Sequence, residues 1–251
     1  MSRFALICAA LCLAAASCFA QTALPQNSTP APETTTAPTP RTADGHVNLG
    51  SAPGQKGYWE VRPGLGGMPR PNNVPFQPWA RALYQYRTGK SDLYPPLVNC
   101  KPAGGPFFFN APGFEIVNAP DLQSIFILNI AGPHSWRVIY MDGRTHPKPE
   151  DLRPTFLGHS IGHWEGDTLV VDSIGFNEKQ WIAGAYTTTQ QLHLIERISR
   201  LNLKTLSYEA TIDDPGAYTD KWTVRWTINE KTASSWIAGG EIFEYICEDT
   251  R

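Results

Sequence analysis

The feature that most constrains this chain is a succession of short alternating runs in its C-terminal half. Phe114–Asn118, Gln123–Ile130, Ser135–Met141, Thr155–Trp164, Thr168–Ser173, Gln191–Arg200, Thr205–Ile212, Lys221–Ile228 and Glu241–Cys247 are rich in β-branched and aromatic residues and are separated by turn residues. They are too closely spaced to be joined by crossover helices, so the expected fold class is mostly β, a sandwich or a barrel. A continuous meander favours an antiparallel β-barrel. Asp142-Gly143 follows a strong strand pattern, as a type I′ hairpin turn does. Glu165-Gly166-Asp167 and Asp213-Asp214-Pro215-Gly216 mark two further turns, and Gly158 and Gly162 suit bending of a barrel wall.

The N-terminal part is organised differently. Arg3 followed by the apolar stretch Phe4–Ala16, with Cys18-Phe19-Ala20 before Gln21, reads as a secretory signal peptide over 1–20, too short to span a bilayer. Ala15-Ala16-Ser17-Cys18 also loosely resembles a lipoprotein cleavage box, which makes Cys18 a possible lipid anchor. Residues 21–44 are Pro- and Thr-rich and read as a disordered linker. The domain is then 45–251, opening with an extended N-terminal arm in which Tyr58 and Trp59 are anchors. One helix is expected at Pro78–Thr88, because Pro78 suits a first helical position and Trp79, Leu83 and Tyr86 share a face. With the signal removed, two cysteines remain, Cys100 and Cys247. In an oxidising compartment they read as a disulfide; two inert thiols are the alternative.

Composition excludes some partners. The net charge is −2 and no Lys/Arg run is present, so nucleic acid is not an expected partner. No dinucleotide-binding or P-loop motif occurs, and no organic cofactor is expected. Ser160 lacks a nucleophile-elbow context. The chemistry-bearing residues are therefore the titratable ones set into strands. Alternation places His159 and His163 on one strand face, with His146 a short loop earlier and His193 on another strand. A metal set of His146, His159, His163 and His193 matches no dense ligand motif, and none is expected. Asp172 interrupts Leu169-Val170-Val171, and Glu196-Arg197 interrupts Leu192-His193-Leu194-Ile195. A carboxylate inside an apolar strand must be paired, solvated or shifted in pKa. Either these carboxylates orient a histidine for proton transfer, or Asp172 and Arg197 form ion pairs that fix the wall. Phe107–Phe109, Trp222, Trp226 and Trp236 are pocket linings or, in the simpler reading, core.

The stretches Tyr140–Pro147, Gly158–Asp172, Gly175-Phe176-Asn177 and Glu196-Arg197 resemble a family of exported bacterial proteins with no assigned activity. The resemblance runs from about Pro78 to Cys247, and Cys100 and Cys247 match positions where that family carries cysteine. His163 departs from it, since Arg or Lys is usual there. The strand order also resembles, more weakly, lipocalin-like barrels, which implies a meander closing around a cavity that takes small apolar molecules.

The resulting expectation is an exported, periplasmic or secreted, lipocalin-like barrel acting on a small apolar or carbohydrate-derived ligand. General acid–base chemistry in the cavity would make it a lyase, isomerase or hydrolase. His159 or His193 would move the proton, Asp172 or Glu196 would orient it, and Arg144, Arg197, Trp164 and His146 would hold the substrate. A non-catalytic ligand-binding protein and a structural envelope protein are the alternatives.

Overall fold

In the computed structural model of the chain, the described residues are 38–51, 54–61, 71, 73–90, 96–110, 113–130, 135–182, 185–231, 241–242 and 246–247. All fall within one compact unit, Thr35–Arg251. The expected signal peptide with Cys18, most of the linker, Trp236 and part of the run Glu241–Cys247 lie outside the described residues.

The strands are β1 (Tyr58–Glu60), β2 (Phe114–Ala119), β3 (Ser124–Asn129), β4 (Trp136–Tyr140), β5 (His159–Glu165), β6 (Thr168–Ile174), β7 (Trp181–Ile182), β8 (Tyr186–Thr187), β9 (His193–Asn202), β10 (Thr205–Asp213) and β11 (Trp222–Lys231), with one helix, α1 (Pro78–Thr88). Nine of the strands form a closed barrel in the order β1-β11-β10-β9-β6-β5-β4-β3-β2. This is the mostly antiparallel, lipocalin-like architecture expected from the strand runs, with β7 and β8 as a separate small hairpin. Period-two alternation decides what lies inside. In β10, Leu206, Tyr208, Ala210 and Ile212 are buried while their neighbours are half-exposed. β9 alternates in the same way, but its inward set, Leu194, Glu196, Ile198 and Arg200, includes two charged residues.

One neighbour pair departs from the meander. β4 and β5 run parallel, through Ile139↔Ser160 and Tyr140↔Ile161 only. Asp142-Gly143 is therefore not a hairpin turn, contrary to the sequence reading. Gly143 does take a left-handed φ of 75°. There the Arg144 N–H donates to Asp142 Oδ1 at 3.2 Å, so the turn is local. The connection then crosses back outside β5 and β6 before β5 begins. β5 also starts later than the expected Thr155. Gly158, at φ 68°, turns the chain, and a Cβ there would lie 2.6 Å from Ile174 O.

The two barrel ends are closed by chain rather than left open. At one end Phe108 and Phe109, in the 3₁₀ turn Gly105–Asn110, enter the interior. Phe109 lies 4.6 Å from Tyr208 and 5.2 Å from Phe114, ring centre to ring centre. The Phe107–Phe109 run, like Trp222 and Trp226, is core. At the other end sits the N-terminal arm. Val47 and Leu49 are buried, and Arg200 donates to Asn48 O and Gly50 O, each at 2.6 Å. His46 stacks on Trp164 at 4.8 Å, and Arg41 forms a two-pronged pair with Asp167. The arm thus begins inside what composition reads as linker, because Arg41 already pairs with Asp167. Cys100 and Cys247 form the expected disulfide, with Cα atoms 5.6 Å apart.

Candidate active site

The residues expected to act together divide across the barrel wall. Ser160, Ser173 and Glu196 point inward; His159, Asp172 and His193 point outward from the same three strands, β5, β6 and β9. Glu196 is therefore not an orienting partner of either histidine, and the shared cavity expected for all four does not bring them together. The reason is the side-chain period of two. Glu196 lies an odd number of residues from His193 on one strand, so the two must face opposite ways.

Inside the wall, Glu196 belongs to a closed polar network. The Arg137 guanidinium embraces its carboxylate through both terminal nitrogens, one contact measuring 3.1 Å. Arg137 also donates to Ser160 Oγ at 3.0 Å and to Ser173 Oγ at 2.8 Å. Tyr208 donates its hydroxyl to Glu196 Oε1 at 2.6 Å. Both charged residues are buried, at 3 % and 0 % side-chain exposure. Burial works against the Arg137 charge, but Glu196 more than offsets it and holds the guanidinium pKa above its usual value. Burial, and then Glu196, push the Tyr208 hydroxyl well above its usual range. Ser160 Oγ accepts from both Arg137 and Ser173, which occupies its two lone pairs, so it is not a free nucleophile. Sequence reading missed Arg137 and Tyr208; the signal available was Arg137 standing alone in the apolar run Trp136–Tyr140.

On the outer face, three histidines and one carboxylate form a chain. Asp172 Oδ1 lies 2.8 Å from His193 Nε2 and 3.1 Å from His146 Nε2. His146 Nδ1 lies 2.9 Å from His159 Nδ1. A carboxylate only accepts, so both Nε2 atoms donate to Asp172. His146 is then an acceptor at Nδ1, and His159 donates its Nδ1–H to it. That assignment leaves His159 Nε2 carrying a lone pair, and among the described residues it takes no hydrogen bond. Burial, then His146, then Arg144 lower the His159 pKa and favour the neutral ring. The Tyr140 ring stacks on His159 at 5.3 Å, and the Arg144 guanidinium, paired with Asp142, sits 3.9 Å from the Tyr140 ring centre.

His159 lines a pocket of about 340 Å³ in the barrel wall. Trp136, Val138, Tyr140, Phe156 and Leu157 supply its apolar and aromatic lining, and it reaches Arg137 and Ser160. The remaining expected residues lie elsewhere. Arg197 pairs with Glu165 at 2.7 Å, and His163 meets the same carboxylate at 3.3 Å. Trp164 is covered by His46. His146 is part of the relay. Among the described residues no three His, Cys, Asp or Glu side chains are grouped to hold a metal ion, and no helix is long and apolar enough to cross a membrane. Comparison with protein-family models, with curated proteins and with solved structures gives no match.

Proposed function

We propose that this chain is an exported acid–base enzyme whose proton acceptor is His159, acting on a small, partly apolar molecule in the wall pocket. The observation that carries the reading is the chain Asp172–His146–His159, which ends on a pocket-lining imidazole. Its chemistry is proton removal. His159 Nε2 takes a proton from the bound molecule, and the charge formed on the ring is shared through Nδ1–H to His146 and finally beside the Asp172 carboxylate. A positioned base of this kind contributes about 10²–10⁴ in rate. Asp172 and His146 fix the tautomer, Tyr140 stacks on the ring, and Arg144 disfavours its protonated form. Export is part of the proposal, supported by the disulfide and by the signal-like first twenty residues.

The test compares wild type with His159→Gln on a panel of esters, lactones and ketones in D₂O, followed by proton NMR for turnover and for exchange next to the carbonyl. Turnover by wild type that falls at least 100-fold in the variant supports the reading. No turnover by wild type, or equal turnover by both, overturns it. The aromatic lining of Trp136, Tyr140 and Phe156 favours a second reading, ligand binding without chemistry. In that case a panel compound binds both proteins equally and leaves unchanged.

A further inference from the structure

The wall pocket exists because the barrel ladder is interrupted, and the interruption leaves backbone groups of β4 without partners. Asn129 N–H donates to Ser135 O, and Met141 N–H donates to Gln123 O. These two bonds fix the odd-numbered backbone groups of β4 toward β3, so those of Trp136, Val138 and Tyr140 face β5. The parallel register Ile139↔Ser160 and Tyr140↔Ile161 occupies Val138 C=O and both groups of Tyr140. Below that point β5 is absent, because Gly158 has turned the chain away. Its predecessor Thr155 is paired instead with the far side, accepting from Asn177 N–H and donating to Gly175 O. Val138 N–H, Trp136 C=O and Trp136 N–H therefore have no backbone or side-chain partner among the described residues. They form a donor–acceptor–donor row along an open strand edge.

We infer that this edge is a binding site for an extended peptide, which adds in the plane of the sheet and continues the column of β5. The argument is complementarity of a repeating kind. A row of alternating donor and acceptor at strand spacing is matched by the backbone of an extended polypeptide and by little else. The open stretch of three residues spans about 10 Å at ~3.3 Å per residue. Side chains of the added strand would alternate, and the outward ones would meet exposed Trp136, which is 61 % exposed, and Val138. An occupant whose backbone satisfies all three groups adds these hydrogen bonds to its contact with the apolar walls. The inference takes the pocket of the acid–base reading as its site, and it names the substrate class that reading leaves open.

The probe is the capped tripeptide acetyl-Val-Ala-Val-methylamide, titrated into the ¹⁵N-labelled full chain, together with three versions N-methylated at one residue each. The expected result is saturable shifts of the Trp136 and Val138 amide resonances. N-methylation should weaken binding about tenfold at alternate positions only, because successive peptide N–H groups point to opposite sides. Absence of shifts, or equal sensitivity at all three positions, overturns the inference. So does N-acetylglucosamine giving the same shifts with equal affinity, since that would mark a plain amide or sugar pocket. Val138→Pro removes one free donor outside the ladder and should abolish peptide binding; if that variant does not fold, the N-methylated series decides alone. The outcome is separable from the acid–base reading. Turnover that is lost in His159→Gln while the wild type binds no peptide overturns only the inference made here, and peptide binding by a wild type that turns nothing over overturns only the acid–base reading.

Discussion

At the residue scale, His159 makes a testable pH prediction. Its pKa is lowered in the folded protein, mainly by burial. The unfolded chain therefore binds the extra proton more readily than the folded one, and stability rises with pH through this window. The contribution is fully present above the ordinary histidine value of about 6.5 and is lost as pH falls through the folded value. Histidine ring NMR should show His159 titrating below that ordinary value, with Nδ1 protonated in the neutral form. The base-limited arm of any activity should lie in the same range; a midpoint above the ordinary value would sink the assignment. Glu196 makes the opposite kind of prediction. Glu196→Gln leaves the Arg137 charge buried and uncompensated, so it should destabilise by about 3–5 kcal/mol in urea unfolding. His193, Asp172, His159 and His146 were all legible in sequence as polar residues set in or beside apolar strands. Their separation from Glu196 was legible only in part. Alternation separates His193 from Glu196 on one strand, but relating His159 to either needs the register between strands. The role of Arg137 could not be read because its partners lie on β5, β6 and β9.

At the element scale, the strand runs and the helix Pro78–Thr88 were readable because period and turn chemistry are local. The parallel step was not. Asp142-Gly143 offers the same left-handed glycine to a hairpin and to a crossover, and only the contacts of His146 with β5 and β6 distinguish them. β1, with three residues, and the two-residue β7 and β8 are too short to carry a period. The interrupted ladder predicts an alternation in amide exchange along β4. Arg137 and Ile139 should be protected, Trp136 and Val138 should exchange fast, and uniform protection would mean that β5 extends further than described. Gly158 is the residue that interrupts it. Gly158→Ala forces a side chain into a left-handed position against Ile174 O and the Phe176 ring. A loss of about 1–3 kcal/mol in thermal or urea unfolding is expected.

At the scale of the whole molecule, the aromatic run Phe107–Phe109 and the arm show why composition could not fix the barrel's contents. A Phe run reads equally as pocket lining or as core, and the choice depends on which loop enters the barrel. The disulfide was readable from cysteine count. It ties residues 147 apart in sequence. Cys100→Ser should cost about 4–5 kcal/mol in the chain-entropy account, measured by urea unfolding without reductant. The order of the strands around the barrel has a consequence in time. Among the described strands, β1, the first to be made, finds its long partner in β11, the last, and meets β2 at a single residue pair, Trp59↔Phe114. Closing the ring demands contacts between opposite ends of the chain, which is the slowest kind of pairing to find. A ribosome that has not yet released β11 holds a barrel that cannot shut, so the polypeptide stays open until that strand has emerged.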